Sequence, residues 1–197
     1  MERIDYLVIW SSIAVLLTLW GYAPYIWKIW KGTLKPHYFS WLIWGLTTCI
    51  VFVAQWSENG GLGSYPTGVP GVLTLVVAIY CWQHRKSTIL KPFDWFILIL
   101  TLVSVPIWCL LADPLYSVIL LTVMDVLGFM PSFRKASEDP YADSLSFYFL
   151  FFVRNFISIL ALEVKNLTTL VFPFFVGLFC LVFVFWVIYC RWKKKSK

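Results

Sequence analysis

Apolar residues fall in seven blocks along the chain, at about 7–27, 37–56, 65–83, 93–112, 115–133, 144–163 and 168–190. Each block approaches the ~20 residues that an α-helix needs to cross ~30 Å of hydrocarbon. Polar or turn-forming stretches separate them: Lys31 to Pro36, Ser57 to Gly61, His84 to Ser87, Asp113-Pro114, Ser137 to Pro140 and Glu163 to Asn166. The pattern predicts an all-α integral membrane protein with seven transmembrane helices.

Two blocks carry a charge near their middle: Asp125 within Val118 to Met130, and Arg154 within Ser144 to Leu162. A charge at mid-membrane costs about 2.5–3.5 kcal/mol even on lenient scales, so it faces protein or a water-filled cavity. Spans five and six are consecutive and antiparallel, and the two residues share a depth. They are expected either to form a direct ion pair that locks two helices or to line a central cavity. Arg154 stays charged and can hold a carboxylate or another polar oxygen. Burial favours the neutral form of Asp125, and a neighbouring guanidinium favours the ionised one. A proton-coupled cycle needs the first influence to win for part of the cycle.

Sixty per cent of the 197 residues are hydrophobic and 13% are charged, with a mean hydropathy of +0.79. A soluble domain cannot cover that much apolar surface, whereas a bilayer can. The net charge of +6 is accordingly no nucleic-acid signal, because the basic residues follow membrane topology. Thirteen of the 16 basic residues come after spans one, three, five and seven: Lys28, Lys31 and Lys35; Arg85, Lys86 and Lys91; Arg134 and Lys135; Arg191, Lys193, Lys194, Lys195 and Lys197. Basic loops stay cytoplasmic. The chain is therefore expected in the plasma (inner) membrane, N-terminus outside and C-terminus cytoplasmic, with its first block retained as a helix. The basic face is expected to meet anionic lipid headgroups. The five cysteines lie in or beside apolar blocks without CxxC spacing, and His37 and His84 have no ligand spacing, so no metal or cofactor is expected. No Ser/His/Asp grouping, HExxH or phosphate-binding glycine loop points to an enzyme. Asn166-Leu167-Thr168 is a sequon on the predicted outer face, close to the membrane.

The chain also repeats itself. Gly21-Tyr22-Ala23-Pro24 through Lys28 matches Gly128-Phe129-Met130-Pro131 through Lys135 at an offset of 107. Ser40-Trp41 meets Ser146-Phe147 at an offset of 106, and Tyr80-Cys81 meets Tyr189-Cys190 at 109. Agreement in order, at near-constant offset, relates spans one to three to spans five to seven. Three helices are an odd number, so span four restores the orientation of the second copy and makes the repeats parallel. The organisation expected is a first triple-helix repeat over 1–90, a linker helix over 91–113, and a second repeat with a basic tail over 114–197.

On these residues the chain resembles the SWEET/PQ-loop family of membrane proteins. That family places Pro-Gln near the cytoplasmic end of the first helix of each repeat, then a Lys about four residues on, then a polar loop. Here the first copy reads Pro24-Tyr25 with Lys28, Lys31 and Thr33 ahead of Phe39-Ser40. The second reads Pro131-Ser132 with Lys135 ahead of Asp143-Ser144-Leu145-Ser146. The resemblance implies a 3-1-3 bundle that carries a small solute. Sugar-carrying members place an Asn on the third helix of each repeat, and spans three and seven have none at mid-span, so the resemblance does not extend to sugar.

Trp41, Trp44 and Thr48 share one face of span two, and Phe147, Phe151, Arg154 and Ser158 share one face of span six, with Asn155 beside them. Aromatic walls with a few placed polar groups suit a small-molecule pocket. The candidate substrate-binding residues are Asp125, Arg154, Asn155, Thr48, Trp41 and Trp44. By the repeat offsets Arg154 corresponds to Thr48 and Asp125 to Thr18, so the matching places in the first repeat are polar but uncharged. Pro24 and Pro131 occupy matched depths and are candidate hinges of a cytoplasmic gate, or fixed bends. Trp27, Trp30, Trp56, Trp82, Trp95 and Trp192 read as interfacial anchors. The function expected is transport of a small polar solute by alternating access between the repeats. A non-transporting receptor or assembly protein on the same scaffold is the alternative. Two complete repeats let one chain form the cavity alone, and homo-oligomerisation remains open.

Overall fold

The computed structural model describes residues 2–34, 38–83, 92–111, 113–141 and 143–195. Lys35, His37, His84, Arg85, Lys86, Lys91 and Lys197 lie outside the described residues. The described chain is helical in α1 (Glu2–Trp30), α2 (Tyr38–Ser57), a 3-10 turn (Gly61–Ser64) leading into α3 (Tyr65–Gln83), α4 (Pro92–Leu111), α5 (Pro114–Leu127), α6 (Phe129–Glu138), α7 (Leu145–Ala161) and α8 (Leu167–Lys195). Because α5 and α6 run on as one span, the seven apolar blocks become seven helical segments. Five are long and apolar enough to cross a bilayer: Ile4–Trp30, Tyr38–Ser57, Gly61–Gln83, Pro114–Glu138 and Leu167–Lys195. The shorter apolar helices are Trp95–Leu111 and Leu145–Ala161.

The distribution of side chains is the reverse of a soluble protein's. Large apolar residues face outward, with Leu110 83% and Trp20 77% exposed, while Asp125 and Arg154 are 2% and 4% exposed. Thr18, Thr47, Gln55, Thr101, Ser104, Ser117 and Ser158 are buried too. Hydrocarbon solvates apolar side chains and cannot hydrogen-bond polar ones, so this arrangement is stable only with lipid outside. The chain is therefore a multi-span integral membrane protein. The six tryptophans read as anchors are all exposed, whereas Trp41 and Trp44 are buried.

Helix ends follow local chemistry. Asp113 caps α5, its Oδ1 accepting the Leu115 amide at 2.9 Å, with Pro114 in the first turn. Asn166, the sequon asparagine, caps α8: its Oδ1 accepts the Thr169 amide at 3.0 Å. Helices α1 and α8 run past the apolar blocks into Lys28–Trp30 and Arg191–Lys195. Long basic and aromatic side chains reach the headgroup layer from a continuing helix, so hydropathy marks the hydrocarbon core and not the helix end.

Span five departs from the expected single helix. It breaks at Gly128, between α5 and α6. Pro131 has no amide to offer the Leu127 carbonyl four residues back, which ends the α5 ladder there. At the matched Pro24, α1 continues unbroken. The two prolines thus differ in effect: the helix breaks before Pro131 and not at Pro24.

Helix α3 packs against both α1 and α2, and α8 packs against α5, α6 and α7. Across the middle, α1 packs on α7 and α2 on α5, while α4 lies against α5 and α2. Two glycines bring the crossing helices close. A Cβ on Gly21 would lie 2.9 Å from Leu150 of α7, and one on Gly128 would lie 2.8 Å from the Trp44 indole nitrogen of α2. These are the glycines matched at an offset of 107. Aromatic residues including Tyr25, Trp41, Trp44, Phe147 and Phe183 form one core at one end of the bundle. Val51, Ala54, Val118, Leu121 and Phe172 form a second toward the opposite end.

Replacing either glycine by Val should destabilise the protein by about 1–3 kcal/mol through overpacking. Unfolding midpoints of Gly21→Val and Gly128→Val in mixed detergent micelles check this. An unchanged midpoint would mean that the helices do not meet at these glycines.

Candidate functional site

A cavity of about 60 Å³ borders both cores near mid-span. All six candidate residues line it: Trp41, Trp44 and Thr48 from α2, Asp125 from α5, and Arg154 and Asn155 from α7. Tyr22, Thr74, Phe151 and Cys180 complete much of the wall, so α1, α3 and α8 contribute as well. The space exceeds the roughly 10–15 Å³ that a single water needs.

Asp125 is held by α2. Its Oδ1 accepts the hydroxyl of Thr47. Its backbone carbonyl accepts the Trp44 indole N–H at 2.9 Å. That carbonyl lies just before the break in span five, where the helix ladder stops, and the indole supplies the donor. The approach needs Gly128, since a side chain there would meet the same indole nitrogen. Thr18, 107 residues before Asp125, bonds within its own helix, to the Ala14 carbonyl at 2.9 Å. Thr48 and Arg154, 106 residues apart, both reach the cavity.

Arg154 is held from its own helix. Its Nη1 donates to Asn155 Oδ1 at 2.7 Å, and Asn155 Nδ2 donates to the Phe151 carbonyl at 2.8 Å. The guanidinium carbon lies 5.8 Å from the centre of the Phe151 ring. Among the described residues, no ion pair joins Asp125 to Arg154, and Arg154 Nε and Nη2 have no hydrogen-bond partner. Of the two arrangements open from the sequence, the cavity lining is the one observed. Each group has its own support, the Thr47 hydroxyl for the carboxyl and Asn155 for the guanidinium.

Stacked rings lie at one end of the cavity, with Trp41, Phe147 and Phe151 in its wall. Tyr25 lies 4.9 Å from Trp41 and 4.3 Å from Phe147, centre to centre, and Phe147 stacks on Phe151 at 4.4 Å. Beyond the stack, Asp143 joins the two sides of the bundle. Tyr25 of α1 donates to its Oδ1 at 2.9 Å, and Tyr148 of α7 donates to its Oδ2 at 3.0 Å. Pro24 lies in α1 next to Tyr25, and Pro131 lies in α6. Burial lifts the Asp143 carboxyl above its ordinary value of 3.8, opposed by hydrogen bonds from Ser144, Tyr25 and Tyr148 and by the positive Lys135. At the opposite end Glu163 Oε1 accepts the Leu62 amide at 3.0 Å, and Gln55 Nε2 donates to the Thr169 carbonyl at 2.9 Å. Both ends therefore tie the N-terminal helices to the C-terminal ones.

Sequence reasoning missed Thr47, Tyr22, Thr74 and Asp143. Tyr22 belongs to the repeated Gly-Tyr-Ala-Pro stretch, which was signal enough; its hydroxyl bonds with Thr74 and reaches the Pro70 carbonyl at 3.3 Å. Thr47 neighbours Thr48, and helix geometry turns one toward α5 and the other toward the cavity. Nothing local distinguishes Asp143 from an ordinary loop acid, because its tyrosine partners are 118 and 5 residues away.

No protein-family model, no curated protein and no solved structure matches this chain. The reading of the site therefore rests on its geometry.

The raised Asp143 carboxyl makes a signed prediction. A group that holds its proton more tightly when folded contributes stability that is full below the unfolded value near 3.8 and is lost as pH rises through the folded value. Relative to Asp143→Asn, the wild-type protein should lose thermal stability as pH rises above 3.8. Paired unfolding curves between about pH 4 and 8 check this. A stability difference that widens in favour of the wild type over that range would contradict it.

Proposed function

We propose that the chain transports a small polar solute by alternating access between two triple-helix halves of SWEET/PQ-loop type. The observation that carries this reading is the mid-span cavity, with one acidic and one basic side chain in its wall and neither neutralised by the other. An intramembrane charge supported for its own sake and turned to a cavity is what a solute pathway requires.

The contacts support two related halves, 1–90 and 114–197, joined by a linker over 91–113. The pairings α1 with α7 and α2 with α5 exchange the first and second helices of the halves, as an axis along the membrane normal requires. Helices α3 and α8 take the equivalent third place, and Gly21 and Gly128 make equivalent close approaches. In this reading α4 is the linker. The aromatic stack with Asp143 and the Glu163 and Gln55 contacts are the two closures, and transport opens them in turn. The basic end faces the cytoplasm of a plasma membrane, next to anionic headgroups, and the six exposed tryptophans anchor the bundle. The break at Gly128 gives the α5–α6 span a place to bend.

Counterflow in proteoliposomes tests the reading. Vesicles loaded with an unlabelled small solute should transiently accumulate its labelled form, across a panel of carboxylates, amino acids, polyols and nucleosides. Asp125→Asn should abolish pH-driven uptake and keep exchange, and an unchanged pH dependence would remove proton coupling. No exchange with any solute, together with stable retention of one protein partner, would turn the reading to a receptor on this scaffold.

A further inference from the structure

We propose that Arg154 binds the carboxylate of a small organic acid, and that this acid is the class of solute the cavity takes. The inference rests on the transport reading and narrows it. Its basis is which nitrogens of the guanidinium are engaged. Nη1 donates to Asn155, while Nε and Nη2 have no partner among the described residues, although the side chain is 4% exposed. Nε and Nη2 share one edge of the planar group. Their N–H bonds run side by side at the spacing of two carboxylate oxygens. Asn155 grips the opposite side, and its own amide is fixed to the Phe151 carbonyl. The pair therefore presents the bidentate edge in one orientation, so Asn155 is a positioning residue for Arg154.

The protein has an acid that could have filled this edge and uses it otherwise. Asp125 lines the same cavity with Thr47 on its Oδ1 and the Trp44 indole on its carbonyl. A buried charged donor left without an acceptor is costly. An incoming carboxylate removes that cost with two charge-assisted bonds, whereas a neutral polyol offers only weaker acceptors. The space of about 60 Å³ limits the acid to a few heavy atoms. Phe151 and Tyr22 offer ring surface in the cavity wall for a short apolar chain, and the Thr48 hydroxyl can meet a further polar atom. A short monocarboxylate and a small amino acid both carry this chemistry.

Ligand-induced thermal stabilisation of the purified wild-type protein tests the proposal, with propionate, its neutral isostere propionamide, alanine and glycerol as probes. Propionate, alanine or both should raise the unfolding temperature saturably, and propionamide and glycerol should not. Response to propionate alone identifies a monocarboxylate, and response to alanine alone identifies an amino acid. Arg154→Gln should weaken the responding probe roughly 10- to 100-fold. Arg154→Lys should recover only part, because it restores the charge without the fork. The comparison of propionate with propionamide needs no variant, so it decides the matter even if Arg154→Gln does not fold. Equal stabilisation by propionate and propionamide, or undiminished binding by a folded Arg154→Gln, would overturn the proposal. Stabilisation by glycerol alone would overturn the carboxylate and leave the transport reading intact. No response to any probe, with no counterflow of any solute, would overturn both.

Discussion

The bundle is organised around a guanidinium and a carboxyl buried at mid-span and supported separately. In a bilayer interior each needs partners, and the cheapest solution is for the two to meet. Here Asp125 is anchored to α2 through Thr47 and the Trp44 indole, and Arg154 is anchored to its own helix through Asn155. Keeping them apart leaves an aromatic-walled cavity with an acid and a base in its lining. Other features serve the separation. The break at Gly128 frees the Asp125 carbonyl for the indole, and the absent side chain at that position lets the indole approach.

Two sets of contacts tie the N-terminal helices to the C-terminal ones on either side of this cavity, and they differ in kind. One is a ring stack backed by a carboxyl between two tyrosines, directional and dependent on protonation. The other pairs the Leu62 amide with the Glu163 carboxylate and the Gln55 side-chain amide with the Thr169 carbonyl. A cycle that opens one closure while holding the other needs each to be worth only a few kcal/mol, so that solute binding can shift the balance. Short networks of two or three hydrogen bonds, each worth about 0.5–1.5 kcal/mol net, are of that size.

Much of this was legible in the chain because hydrocarbon imposes length and composition directly. Seven apolar blocks, the anchoring tryptophans and the faces carrying Trp41, Trp44, Thr48 and Arg154 all follow from periodicity. What escaped depends on contacts distant in sequence. Pro24 and Pro131 look alike, yet α1 continues through the first, whereas the span breaks before the second. Asp125 and Arg154 look like an ion pair because the sequence shows depth but not the competing partner Thr47, 78 residues away. Asp143 reads as loop until Tyr25 arrives from the other side of the bundle.

Thiol labelling of Thr48→Cys, in a background without the five native cysteines, tests most directly whether water reaches the cavity at mid-span. A small hydrophilic thiol reagent should modify this cysteine in membranes. A cysteine in place of the outward-facing Leu102, at the middle of α4, should stay inert in lipid. If Thr48→Cys proves as unreactive as Leu102→Cys, the cavity does not communicate with water and the two charges belong to a sealed structural core.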